Sequence, residues 1–354
     1  MQSGNDSRAR LAVLWNRVDD LIDSAPSLRD LRVHGLQLLA ARRWRELGRA
    51  VPPELAREEL RAEFAAHAAP ALLAEVRAAC EGPILLLKGP AAAARFPTPT
   101  LRPFVDIDLV VPDAGRAQQE LLDAGFLPTG EEAFYATVEH HLQPLRSPRY
   151  PFDVEVHSRP KWVAGLDPPG FDELAADAER SALGVDGILS AAPARDALVL
   201  AAHLWAHEPL TRLLRIVDIA LAAEAAPPGE LEAVARAWGM SKLWSSTAAI
   251  IETILLEREP APWLLRLAGQ GLTGSRESTV LEVQAARLLA PIAIHEPHRI
   301  PTAVGRALAA SLRPGPGESW SGKLRRSAHQ LAHPSTRHTE NLRTLESGSS
   351  RDRT

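Results

Sequence analysis

The sequence predicts an α+β or α/β central domain set between helical segments, and three observations predict it. A short all-apolar run, Ile84-Leu85-Leu86-Leu87, follows the breaker pair Gly82-Pro83 and suits a strand buried on both faces. Two later stretches, residues 104–111 and 152–157, alternate apolar and polar side chains over much of their length with the period of a strand. Before about residue 80 and again from residue 194, apolar residues recur at three- and four-residue steps, as they do along helices.

Taken in chain order, Leu11, Leu14, Val18, Leu21 and Ile22 mark a first helical stripe, and Leu36, Leu39, Ala40 and Trp44 a second. Pro52 and Pro53 interrupt it. Pro53 fits the first turn of the next helix, where its missing N–H costs nothing, and Leu55, Leu60 and Phe64 follow as its expected apolar positions. After the strand at residues 84–87, Lys88-Gly89 leads into a short alanine-rich helix over residues 90–95. Phe96-Pro97-Thr98-Pro99 must then turn or extend. Asp113 is placed to cap a helix running to Ala124, Gly125 to end it, and Phe126 to open a third strand. The expected division is residues 1–79 as an N-terminal helical segment, 80–193 as the mixed core, 194–313 as a helical domain and 314–354 as a largely disordered tail. That tail is rich in Gly, Ser, Arg, His and Pro.

The composition excludes several functional classes. With 354 residues the chain can bury a sizeable core, and its 45% hydrophobic and 24% charged residues are those of a folded protein. A formal net charge of −4, without a basic stripe carrying interleaved aromatics, speaks against a long nucleic-acid track. The lone Cys80 rules out an internal disulfide framework and a multi-cysteine metal site, and its default role is a packed thiol. No apolar stretch approaches the ~20 residues a membrane helix needs, and residues 1–10 lack the apolar core of a secretory signal. A cytoplasmic protein without a membrane partner is the expectation.

Three motifs bear on chemistry. Asp106-Ile107-Asp108 puts two carboxylates on one face of a strand, because alternate residues point the same way. Side by side they repel unless a cation lies between them, which makes them a seat for Mg²⁺; the plain alternative is a solvated acidic face. Lys88-Gly89 stands between a strand and a helix, where glycine lets backbone approach a phosphate and the helix N-terminus adds N–H groups. The plain alternative is an ordinary turn. Asp153, Glu155 and His157 share a face of the last strand; Glu155 can complete a three-carboxylate site or act as a base, or the face is solvated. His203 and His207 lie four residues apart on a helix, but lack the glutamate that a zinc-peptidase helix places after its first histidine.

Residues 84–89, Phe96-Pro97-Thr98-Pro99, Arg102, residues 106–111, the Gly125-Phe126 helix end and Val154-Glu155-Val156-His157 together resemble, in order and spacing, the uncharacterised nucleotidyltransferase family. That family is a branch of the DNA polymerase β-like superfamily. The resemblance extends over residues 80–225, with His203, His207, Arg212, Arg215 and Asp218 similar to its His-rich helix and following Arg and Asp. It implies an α+β fold, a polymerase β-like core with a mixed sheet between N-terminal helices and a C-terminal helical domain. It further implies Asp106, Asp108 and Glu155 as catalytic and Mg²⁺-binding residues, and Lys88, Gly89, Arg102 and His157 as nucleotide-binding ones. Two departures stand out. Glu155 occupies a position where the family usually has Asp, and Pro90 follows Gly89 without an N–H to donate.

The expected activity is Mg²⁺-dependent transfer of a nucleoside monophosphate from a nucleoside triphosphate, ATP among the candidates, to an acceptor hydroxyl with release of pyrophosphate. The acceptor class spans small molecules, natural-product intermediates and proteins. The alternative, motivated by Pro90 and Glu155, is a catalytically degenerate member acting as a binding or scaffold module.

Overall fold

The computed structural model describes residues 2–130, 141–207, 209–256, 260–314 and 318–340. The chain forms two compact units that interleave in sequence. One comprises residues 35–203 and 214–239; the other comprises residues 1–34, 204–213 and 240–354.

The first unit is built on a mixed sheet. Its strands are β1 (Ile84–Leu87), β2 (Asp106–Val110), β3 (Leu127–Pro128), β4 (Leu145–Arg146), β5 (Asp153–His157), β6 (Glu179–Arg180) and β7 (Ile188–Ser190), in the spatial order β3-β4-β5-β2-β1-β7-β6. β2 runs parallel to β5 and antiparallel to β1, and β1 is parallel to β7. This is the expected α+β class. The two-residue strands β3, β4 and β6 are too short to carry a readable alternation, and only β3, beside Phe126, was signalled by its surroundings.

In chain order the helices are α1 (Gln2–Asp23), α2 (Leu28–His34), α3 (Gln37–Glu46), α4 (Pro53–Ala79), α5 (Gly89–Ala93) and α6 (Ala114–Asp123). They continue with α7 (Phe171–Ala175), α8 (Pro193–His207), α9 (Leu213–Ala225), α10 (Glu230–Ala237) and α11 (Ser241–Ile254). The series closes with α12 (Trp263–Ala268), α13 (Gln270–Thr273), α14 (Val280–Ile294), α15 (Ile300–Leu312) and α16 (Trp320–Ala332).

The period of two sorts the central strands. Ile84 and Leu86, Ile107 and Leu109, and Val154 and Val156 face one side, where Leu72, Leu73 and Val76 of α4 and Ala117 and Leu121 of α6 cover them. Alpha-4 presents mostly alanine above Leu72, and its expected apolar positions Leu60 and Phe64 are exposed. With so many alanines the apolar stripe has no sharp edge, which is why its face was misjudged from spacing. Asp113 caps α6 as expected, its side chain accepting from the Arg116 N–H at 2.9 Å, and Gly125 takes φ +91° just past the helix end.

The second unit is helical around buried Leu14, Leu21, Leu272, Val283 and Ile294. Its polar centre is Asp30, which accepts from the Glu277 N–H at 2.7 Å and from the Ser27 hydroxyl at 2.5 Å, while the His34 ring pairs with the Arg276 carbonyl at 2.8 Å. Two features depart from the expected disordered tail. Ser319 caps α16, and the following segment is tied back when Val280 N–H donates to Thr336 O at 2.9 Å and His338 N–H to Ser278 O at 3.1 Å. These pairings join residues nearly sixty positions apart, which no local pattern reveals. Residues 341–354 lie outside the described residues.

Candidate active site

The site grows from the ends of three adjacent strands. Parallel pairing of β2 with β5 sets Asp106 beside Asp153, Asp108 beside Glu155 and Val110 beside His157, and antiparallel pairing sets Leu87 beside Asp108. Because Ile107 points into the apolar core, Asp106 and Asp108 share the opposite face with Glu155 and His157. At the end of β1 the chain turns sharply. Lys88 has φ +45° and Gly89 φ +34°, and a Cβ on Gly89 would lie 3.0 Å from the Asp106 carbonyl oxygen, so only glycine lets the turn sit against β2. Alpha-5 has five residues with Pro90 in its first turn, and offers neither the full dipole nor the N–H set expected of a helix N-terminus there.

Asp108 is the hub. It is 4% exposed; its Oδ1 accepts from His157 Nε2 at 2.9 Å and from Lys88 Nζ at 3.3 Å. His157 Nε2 also lies 3.5 Å from Glu155 Oε2, and His141 Nε2 is 3.9 Å from that same oxygen, with the two imidazole rings 5.1 Å apart. Among the described residues, the donor atoms of Asp108, Glu155 and His157 fall within 4.8 Å of one another, a group able to hold a metal ion.

Asp106 stays outside that tight group but feels its charge. Burial, followed by the charges of Asp108 and Glu155, pushes its carboxyl up to about 6. Asp108 goes the other way: burial opposes its charge, but Lys88, the His157 hydrogen bond and the charges of His157 and His203 together hold it well below the ordinary carboxylate range. Glu155 is likewise lowered, burial being outweighed by its hydrogen bond with His157 and the histidine charges. His157 is raised, since its bonds to the two carboxylates outweigh its burial.

Arg102 is engaged more deeply than expected of a phosphate neighbour. Its guanidinium is buried and grips Asp218 of α9, Nη2 at 2.8 Å and Nε at 3.3 Å from the carboxylate oxygens. Nη1 reaches the Gly89 carbonyl at 3.5 Å and that of Pro103 at 3.4 Å. The structure therefore brings Lys88, Gly89, Arg102, Asp106, Asp108, Glu155 and His157 into one neighbourhood, with Arg102 tied to Asp218. Reading the sequence missed His141, whose surroundings carry no strand period; a single-residue bridge to His157 places it. Asp218 was visible only as part of a family pattern, and His203 contributes charge from α8. The His207 side chain lies outside the described residues.

A strand-borne Asp-x-Asp thus lies beside a third carboxylate, with a glycine turn pressed against it. The uncharacterised nucleotidyltransferase family model matches residues 22–255, and the chain belongs to that family. The match reaches beyond residues 80–225, taking in α2, α3 and α4 before the sheet and α10 and α11 after α9. No curated protein and no solved structure matches the chain.

Proposed function

We propose that this protein transfers a nucleoside monophosphate from a nucleoside triphosphate to an acceptor hydroxyl, releasing pyrophosphate, with Mg²⁺ held by Asp106, Asp108 and Glu155. The observation that carries the reading is the gathering of these three carboxylates on one face of the adjacent strands β2 and β5, with Asp106 pushed up to about 6 by burial and by the charges of Asp108 and Glu155. Such a donor set is short of positive charge and suits a hard divalent cation, which keeps several open positions for phosphate oxygens. When bound, Mg²⁺ would neutralise charge building on the transferred phosphoryl group.

The chain's own residues do the rest. The strained Lys88-Gly89 turn brings an ammonium and a close-lying backbone to the triphosphate side of β2. Glu155 stays ionised and is able to accept the hydrogen of the attacking hydroxyl, while His157 orients both Glu155 and Asp108 from the end of β5. The Asp218–Arg102 pair braces the Gly89 carbonyl. Acceptors in scope are small molecules, natural-product intermediates and protein side chains.

Thermal unfolding with each triphosphate, with and without Mg²⁺, tests the proposal. A ligand at ~100 times its dissociation constant stabilises the native state by about 2.7 kcal/mol, a rise of several degrees. The expected shift depends on Mg²⁺ and disappears in Asp106→Asn/Asp108→Asn. The short α5 with Pro90 in its first turn favours the competing scaffold reading, and a wild type that no triphosphate shifts under any metal condition would leave that reading in possession.

A further inference from the structure

Lys88 and His157 converge on one oxygen. Asp108 Oδ1 accepts from both, at 3.3 Å and 2.9 Å, and two donors fill the two lone pairs of that atom. A divalent cation taking the same oxygen must displace one of them. The imidazole is held firmly: His157 is 2% exposed, ends β5 in register with Val110, and is within 3.5 Å of Glu155. The ammonium instead ends a flexible four-carbon stem that rises from a turn, where its side chain is 13% exposed. The turn also holds Lys88 at φ +45°, ψ −142°, a backbone conformation that a side-chain-bearing residue rarely adopts. Strain retained at a lysine beside the carboxylates points to use of its ammonium at this spot.

We propose that Lys88 competes with the divalent cation for Asp108: it leaves the carboxylate when metal and triphosphate arrive together and turns to the phosphate charge, so that the two ligands bind with positive coupling. The inference rests on the nucleotidyltransferase reading for the triphosphate, but its first half, competition for Asp108, stands on the metal alone.

Mn²⁺ serves as a paramagnetic probe, titrated by electron paramagnetic resonance into wild type, Lys88→Met and Lys88→Arg, with and without the non-transferable analogue α,β-methylene-ATP. Removing the ammonium should tighten binding of Mn²⁺ alone about tenfold, whereas Lys88→Arg, which keeps the charge, should match wild type. The analogue should raise the Mn²⁺ affinity of wild type about tenfold, within the usual 5–150-fold range of coupling between sites, and that of Lys88→Met much less. Equal or weaker binding of Mn²⁺ alone by Lys88→Met overturns the proposal. Should Lys88→Met melt far below wild type, Lys88→Gln makes the same comparison. If the analogue binds none of the proteins, the transferase reading falls together with the coupling, while the comparison with Mn²⁺ alone still decides whether Lys88 competes.

Discussion

The two faces of the central sheet use the same strands for opposite ends. On one side Ile84, Leu86, Ile107, Leu109, Val154 and Val156 are covered by α4 and α6, and every residue there gains by leaving water. On the other side, Leu85, Leu87 and Val110 pack with Leu174 and Val199, but the same face also carries Asp106, Asp108, Glu155 and His157, whose charges burial penalises. One residue separates the two regimes along each strand. The apolar face supplies stability, and the polar face spends part of it to hold carboxylates together that would separate in water.

Three substitutions sharpen this contrast. The largest loss is expected at Arg102→Ala, which strands the buried Asp218 carboxylate and should cost about 3–5 kcal/mol in chemical denaturation. Adding Asp218→Ala to it should recover part of that loss, because no uncompensated charge then remains; a double variant less stable than Arg102→Ala would deny that the pair acts as a unit. On the apolar face, Leu72→Ala removes a fully buried side chain from over the sheet and should cost about 2–5 kcal/mol, with nucleotide binding by the surviving folded protein little changed.

The smallest effect carries the opposite sign. Burial and the charges of Asp108 and Glu155 push the Asp106 carboxyl up to about 6, above its ordinary value of 3.8, so the folded state loses stability as pH rises from the lower value through the higher one. Asp106→Asn should therefore be more stable than wild type by about 1–2 kcal/mol at pH 7.5 in chelator-treated buffer, with the gap closing towards pH 4. Urea titrations at both pH values check it. A variant no more stable at pH 7.5 would mean that the crowded carboxylates cost the fold nothing.

Much of this was legible locally. The alternation at residues 104–111 and 152–157 placed Asp106, Asp108, Glu155 and His157 on sheet faces, the apolar run at 84–87 announced a buried strand, and Asp113 and Gly125 bounded α6. Other elements resisted. Alpha-4 hides its buried stripe among alanines, and α16 falls within a stretch whose Gly, Ser and Pro content argued for disorder. His141 has no local signal at all, since its place beside His157 comes from a lone bridge.

By itself, the sequence determined the three central strands, many of the helices and which strand residues share a face, because those properties depend on periods of two and 3.6 residues within one segment. Only the tertiary structure decided that Asp108 lies beside Glu155 and not beside Asp153, that Lys88 and His157 meet on a single carboxylate oxygen, and that Arg102 belongs to Asp218, 116 residues away. Strand register and long-range ion pairs arise when distant segments pack to bury apolar area and satisfy the polar groups taken in with it, and no short window of sequence contains both partners.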